Sequence, residues 1–346
     1  MNMLGWVLPA AAVIAALMFV PDGIILDEAL NGYYIGERAD VPLGIQPYGL
    51  TIAAGTVCAA ALFLLIFLAG KKNTQSQREY IGKAIAFPAG AVCFGFVLSR
   101  LLYCLVSIIF YCREGAGTAI LRFWEGGMSM TGALLGITLS GILTLRKDEK
   151  AWEAAVPATA LAIAAARLAE HFGNMGYGRE VEFENLFSVT DEYCSMLNVW
   201  LIELAAVVLI AAALTAWRKM DTRCPRGMGF AGAFAAIYGT VQILMESLRM
   251  DRHMVWGFVK SQQLFSFLIA MFVLLLFSRH SFRDAAIVFG VSCALAGSVF
   301  GLEKALDRLD IADIWIYLVF GAVIAGYLVF AVYVMRKKIS RRAADS

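Results

Sequence analysis

The sequence predicts an all-α polytopic membrane helix bundle with about ten transmembrane helices. Composition is the first observation: of 346 residues, 60% are hydrophobic and 16% charged, against about 25% charged in soluble domains. Mean hydropathy is correspondingly high, at +0.72. The second is a succession of stretches approaching the roughly twenty apolar residues that a spanning helix needs. The third is charge alternation, with basic residues collected in every second loop.

The first stretch, Leu4–Val20, contains Pro9 and lacks the basic residues and small-residue cleavage site of a signal peptide, so it reads as a retained helix. Tyr48–Ala69, Ala84–Phe110 and Met128–Leu145 follow, the second carrying Arg100 and Tyr103. Trp152–His171 contains small apolar residues from Ala154 to Ala166 and ends in Arg167, Glu170 and His171. Ser195–Trp217 carries Glu203, and Met228–Leu248 carries a polar stripe. Val259–Phe277, Ala285–Leu302 and Ile314–Val334 complete the series. Two long loops, Asp22–Gln46 and Phe172–Cys194, join spans on one side. The latter holds Arg179, Glu180, Glu182, Glu184, Asp191 and Glu192, which suit either a cap over a cavity mouth or a solvated loop.

Lys71, Lys72, Arg78 and Lys83 share one loop, and Arg146, Lys147 and Lys150 another. Arg218, Lys219, Arg223 and Arg226 form a third group, Arg279 and Arg283 a fourth, and Arg336, Lys337, Lys338, Arg341 and Arg342 the tail. All fall on one face of a ten-helix chain. The positive-inside rule makes that face cytoplasmic, with both termini inside. No low-complexity linker divides the chain. Net charge is +2, and basic residues scattered over loops do not form a nucleic-acid footprint. The seven cysteines show no metal-ligand spacing; Cys112 and Cys194, both on the outer side, are candidates to pair.

Three polar constellations interrupt the apolar pattern. Charged residues at the membrane boundary cost about 2.5–3.5 kcal/mol each and face a partner or a cavity, which makes Arg167, Glu170 and His171 candidates for an anion-binding site. Trp124 through Gly136 contains the pair Gly126-Gly127 followed by small polar residues. The segment suits either close backbone approach to a ligand or, at Gly132, Ala133 and Gly136, a small-residue helix contact. Gln242, Glu246 and Arg249 recur at i, i+4, i+7 and are predicted to share a helix face turned to the bundle interior. An internal Glu–Arg pair is the alternative there.

In this order the constellations resemble the prolipoprotein diacylglyceryl transferase family of bacterial inner membranes. The family's Arg-Leu-Gly-Asn-Phe-Ile-Asn-Gly-Glu segment, ending Trp-Gly-Arg, is similar to Arg167 through Gly178-Arg179 without a gap. Its Trp-Asp-Gly-Gly-Met-Ser-Phe-His-Gly-Gly-Leu segment resembles Trp124 through Leu134. Its Pro-Arg-Pro-Met-Gly entry resembles Pro225-Arg226-Gly227-Met228-Gly229, and its Tyr-Gly…Glu-Phe-Phe-Arg run resembles Tyr238-Gly239…Glu246-Ser247-Leu248-Arg249. Weaker echoes are Tyr48-Gly49-Leu50, Arg100-Leu-Leu-Tyr103 and the segment from Ser261 to Ser266. The resemblance covers about residues 47–277. It implies three segments: an extra helix and outer loop over 1–46, a seven-helix family-like core over 47–278, and two extra helices with a basic tail over 279–346.

The resemblance implies a bacterial inner-membrane enzyme without cofactor or metal, whose partners are phosphatidylglycerol, the signal-peptide region of a preprolipoprotein and surrounding membrane lipids. Arg167 and Arg249 would clamp the lipid phosphate, with Arg179, Gly178, Glu246, Gln242, Tyr48 and Arg100 as further substrate-binding candidates. Departures bear on activity. The family's His in the His-Gly-Gly turn is Thr131, its Asn after Arg-Leu-Gly is Glu170, the Glu of its Asn-Gly-Glu is Met175, and an Arg is Gln242. Thr131 occupies the catalytic position but is no base at neutral pH, which leaves His171 and Glu170 as candidate bases. Two rivals stand beside a divergent transferase: a paralogue binding phospholipid or lipopeptide without transfer, and a lipid transferase with another acceptor.

Overall fold

The computed structural model describes residues 4–21, 42–70, 77–113, 120–173, 175–190, 194–250, 255–256, 259–308 and 313–344. The predicted outer loop Asp22–Gln46 up to residue 41, Asn174, Asp191 and Glu192 lie outside them, as do Lys71 and Lys72. In chain order the elements are α1 (Leu4–Leu17), α2 (Pro47–Ala69), α3 (Gln77–Val106), α4 (Ile108–Arg113), α5 (Met130–Thr144), α6 (Glu149–Ala169), β1 (Tyr177–Glu180), β2 (Ser188–Thr190), β3 (Ser195–Asn198), α7 (Val199–Met220), α8 (Met228–Leu248), β4 (Val255–Trp256), β5 (Val259–Lys260), α9 (Ser261–Ser278), α10 (Phe282–Arg308) and α11 (Asp313–Ala344).

Each predicted span contains a helix, although Ser195–Trp217 and Val259–Phe277 begin as the strands β3 and β5, and only seven helices among the described residues are long and apolar enough to cross a membrane: α2, α3, α7, α8, α9, α10 and α11. The expectation of about ten is corrected by length and polarity. With 14 and 15 residues, α1 and α5 extend roughly 21–23 Å at 1.5 Å per residue, short of a hydrocarbon core of about 30 Å. Helix α6 is long enough, but Glu149, Lys150 and Glu153 in its first turns and Arg167 in its last dilute its apolarity. The predicted Ala84–Phe110 helix breaks at Ser107 into α3 and α4, and short strands add to the helices. The protein is thus an all-α polytopic membrane bundle with small β elements in its connections.

The chain forms two compact units. The first comprises residues 1–208 and 249–261. Here Pro47 starts α2, at a position where its missing N–H is no loss. Ser129 caps α5 by accepting from the Gly132 amide at 3.3 Å, and Asp148 caps α6 by accepting from Ala151 at 3.2 Å. Helix α5 lies against α3 at backbone distance. A Cβ on Gly132 would stand 2.4 Å from the Leu98 carbonyl oxygen, and one on Gly136 would stand 2.4 Å from the Gly95 amide. The helix-contact reading of these glycines therefore holds. Ser129 also donates its amide to Ser99 Oγ at 2.9 Å, and Ser140 Oγ donates to the Phe87 carbonyl at 2.9 Å. Strands β1, β3 and β2 form an antiparallel sheet in that spatial order, with Tyr177 opposite Asn198 and Ser188 opposite Leu197. Strands β4 and β5 form a hairpin.

The second unit comprises residues 209–248 and 262–346. Tyr317 of α11 donates to the Ser247 carbonyl of α8 at 3.1 Å, and Ser292 of α10 meets the Tyr327 hydroxyl of α11 at 2.8 Å. Gln263 of α9 donates to the Ile243 carbonyl and to Glu303, at 3.1 and 3.0 Å. These amide and hydroxyl groups thus find partners on neighbouring helices, as an interior without water favours.

Candidate functional site

The charged residues that end α6 are the starting point. Arg167 sits in its last turn and Glu170 caps it, opening a 3-10 turn that runs to Phe172. Three residues apart on a helical backbone, their side chains meet: Arg167 Nη1 is 2.6 Å from Glu170 Oε1. Glu203, early in α7, brings its Oε2 to 2.7 Å from Arg167 Nε. The fourth member arrives from the far end of the sequence. Arg249 lies just past α8, not on its face as the i+7 spacing predicts, because the helix ends at Leu248. An isolated antiparallel bridge to Gly178 holds it, with Met250 donating its amide to the Tyr177 carbonyl at 3.0 Å. Lys260 Nζ donates to the Arg249 carbonyl at 2.7 Å. So placed, Arg249 reaches Glu170 at 3.2 Å and Glu203 at 3.0 Å.

The result is a closed ring in which each guanidinium binds both carboxylates. Arg167 is 1% exposed, Glu203 2%, Arg249 3% and Glu170 8%. Two positive and two negative charges cancel. Burial of this kind is tolerable only with such complete pairing, since loss of one member leaves an uncompensated charge. Gly176 makes the ring possible. Its φ is +84°, and a Cβ there would stand 2.5 Å from Glu170 Oε2 and 2.9 Å from Trp200 Cβ. Its carbonyl also accepts the Trp200 amide at 2.9 Å, tying the Glu170 turn to the start of α7.

Arg100 belongs to a second arrangement within the same unit. Its guanidinium donates to the carbonyls of Ile120 at 2.9 Å, Gly127 at 3.0 Å and Arg122 at 3.3 Å, and also to that of Gly126. It thereby folds the 120–127 loop, where Gly126 and Gly127 both adopt positive φ. That loop delivers Ser129 to the cap of α5 and leaves Thr131 buried in the first turn. Tyr111 lies beside Arg100, 6.0 Å from guanidinium carbon to ring centre. Burial nonetheless dominates and raises the pKa of this phenol above its ordinary value, while Arg100 acts to lower it.

The remaining predicted residues lie in other elements. His171 is exposed, its ring 5.1 Å from that of Trp200 and 5.3 Å from that of Phe172. Gly178 is buried and Arg179 half-buried in β1. Tyr48 is half-buried in the first turn of α2. Gln242 and Glu246 belong to the second unit, where Gln242 Nε2 donates to Glu246 Oε1 at 3.0 Å and both are buried. All seven cysteines are free thiols, so Cys112 and Cys194 are not joined. Sequence reading understated two residues. Glu203 appeared only as a possible extra partner, though a carboxylate inside an apolar run is itself a signal. Gly176 carried none, because its requirement comes from atoms distant in the chain.

Residues 38–279 match the sequence model of the family described as prolipoprotein diacylglyceryl transferase. The chain is similar to the phosphatidylglycerol–prolipoprotein diacylglyceryl transferase of Ectopseudomonas mendocina, at 25% identity over 234 residues, covering 64% of this chain and 85% of that one. With the protein of the same description from Polaromonas sp. it shares 29% identity over 237 residues, 60% of this chain and 78% of the other. With that of Streptococcus pneumoniae it shares 25% over 254 residues, 69% and 91% of the two chains. The family match ends where α9 ends, and α10 and α11 lie beyond it.

Proposed function

The chain belongs to the prolipoprotein diacylglyceryl transferase family, and from that premise we propose that it transfers diacylglyceryl from phosphatidylglycerol to the cysteine thiol of a preprolipoprotein. The thiolate sulfur attacks the glyceryl carbon that bears the phosphoester. The carbon–oxygen bond breaks, glycerol phosphate departs with the electron pair, and a thioether forms. The thiol proton must first pass to a base, since thiolate is the nucleophile. The protein belongs in the bacterial inner membrane with both termini cytoplasmic, and both hydrophobic substrates approach laterally through the bilayer.

One observation carries the reading: Arg167 and Arg249 converge, from separate parts of the chain, on the same two carboxylates. Guanidinium groups held this way suit a phosphodiester, whose oxygens accept bidentate pairs. Glu170 and Glu203 already pair with both guanidinium groups, so a lipid phosphate replaces a carboxylate contact instead of filling an open cationic pocket. Glu170 is then the candidate that, released by the incoming phosphate, accepts the thiol proton. His171, exposed beside Trp200, is the other.

The charge balance of the ring favours a second reading. With Thr131 in place of the family's His and no net positive charge, the same scaffold suits binding of a phospholipid or lipopeptide without transfer. Incubation of the full-length protein with labelled phosphatidylglycerol and a peptide carrying a lipobox cysteine separates the two. A thioether product, lost in Arg249→Lys, supports transfer; lipid retained on the protein with no thioether supports binding alone.

A further inference from the structure

The family match leaves α10 and α11 without a role, and the second unit contains a cavity of about 390 Å³ where they meet the end of α9. This lies within the 300–1,000 Å³ range of small-molecule sites. Phe277, Val288 and Phe330 supply apolar wall, Tyr333 adds an aromatic edge, and Lys337 and Lys338 bring two ammonium groups. The cavity stands at the ends of three candidate spans, Ser261–Ser278, Phe282–Leu306 and Asp313–Lys338. That is the depth at which Lys, Arg and aromatic rings meet phospholipid headgroups.

The polar groups are built for an anion. Lys337 Nζ is 2.9 Å from Asp284 Oδ1 and 5.9 Å from the centre of the Tyr333 ring, and Lys338 Nζ lies 4.8 Å over the Phe277 ring. Two lysines against the one carboxylate, Asp284, give the lining a net positive charge. Ser281 caps the first turn of α10, accepting from the Asp284 amide at 3.3 Å, so the positive end of a 27-residue helix borders the cavity. Ser278 lines it too. This residue is 6% exposed, and its Oγ is a buried polar atom with no hydrogen-bond partner among the described residues. A buried hydroxyl in that condition costs free energy until a ligand satisfies it.

We propose that this cavity binds the phosphate headgroup of an anionic phospholipid, with an acyl chain along the Phe277–Phe330 wall. The site is separate from the Arg167–Arg249 ring and does not depend on the transferase reading. By the positive-inside pattern of the surrounding basic residues it opens to the cytoplasmic leaflet, where basic pockets between spans take acidic headgroups.

Photolabelling of the full-length protein tests this, in phosphatidylcholine vesicles doped with a phosphatidic acid that carries a photoreactive acyl chain. Label is expected on the peptides around Phe277–Ile287 and Phe330–Lys338, and Lys338→Gln, which keeps the Lys337–Asp284 pair, should lower it about fivefold. Ser278→Leu, which retains both lysines but fills the interior, should lower it as well, providing a check if Lys338→Gln folds poorly. Equal labelling by phosphatidylcholine bearing the same chain would overturn the proposal. So would wild-type labelling in both variants, or full protection by inorganic phosphate alone, which would mark a site for the free ion.

Discussion

Arg167 and Arg249 share a single oxygen: Oε2 of Glu203 is 2.7 Å from Arg167 Nε and 3.0 Å from Arg249 Nη1. Glu170 repeats the arrangement, its Oε1 lying 2.6 Å from Arg167 and 3.2 Å from Arg249. Two cations are thus held close by two anions, and neither pair is independent of the other. Substitutions in this ring should therefore be strongly non-additive.

Glu203→Ala should destabilise the fold by about 3–5 kcal/mol, the usual consequence of leaving a buried charge unpaired. Chemical denaturation in detergent measures it. Glu203→Ala combined with Glu170→Ala should cost clearly less or more than the two single losses summed, and simple additivity would show that the ring does not act as a unit.

Glu170→Asn removes one negative charge and restores the residue of the family pattern. The ring then carries net positive charge, and a phospholipid phosphate should bind at least about tenfold tighter, the gain from one charge-assisted hydrogen bond. Competition between anionic and zwitterionic lipids on the purified protein reads this out. Unchanged preference would place the lipid phosphate elsewhere.

Thr131→His supplies an imidazole at the first turn of α5. If the transferase scaffold is intact and lacks only a base, the thioether-forming rate should rise by about 10²-fold or more, the lower range for general acid–base catalysis. The rate should rise with pH through the imidazole pKa, near 6.5 when unperturbed. No gain would favour the binding-only reading.

Gly176→Ala meets two obstacles, a positive φ and a Cβ 2.5 Å from Glu170 Oε2. A loss of about 1–3 kcal/mol in stability is expected from the backbone strain alone, and the Glu170 turn should lose its place beside α7. A melting curve matching wild type would show that the turn relaxes freely.

Asp221, in the loop after α7, has its carboxyl held below the ordinary 3.8, first by the Arg223 amide, then by the Trp217 indole and Arg336. Its folded pKa is the lower one, so its contribution to stability is present above about pH 4 and fades as pH falls through the folded value. Asp221→Asn should flatten this part of the acid limb in a pH series of thermal melts, and an identical limb would remove Asp221 from the account.

Hydrophobic runs announce membrane helices because the bilayer imposes a length and an apolarity that composition must meet. Every predicted span accordingly contains a helix, though three of them break or begin as a strand. Local signals also marked Arg167 and Glu170, since charge beside an apolar run is costly wherever it occurs. Sequence spacing failed at Arg249, where periodicity assumed a helix that stops one residue earlier. It also could not separate Arg100, absorbed by loop carbonyls, from the arginines of the ring.

By itself, then, the sequence determined class, the approximate positions of the helices and family, all of which follow from residue type and near-neighbour order. Tertiary structure alone decided which charges meet. The pairing of Glu170 with Arg249 joins side chains 79 residues apart, and it depends on a strand bridge at Gly178 and the backbone turn at Gly176. Electrostatic energy depends on distance in space, and no spacing along the chain encodes that distance once the backbone has turned.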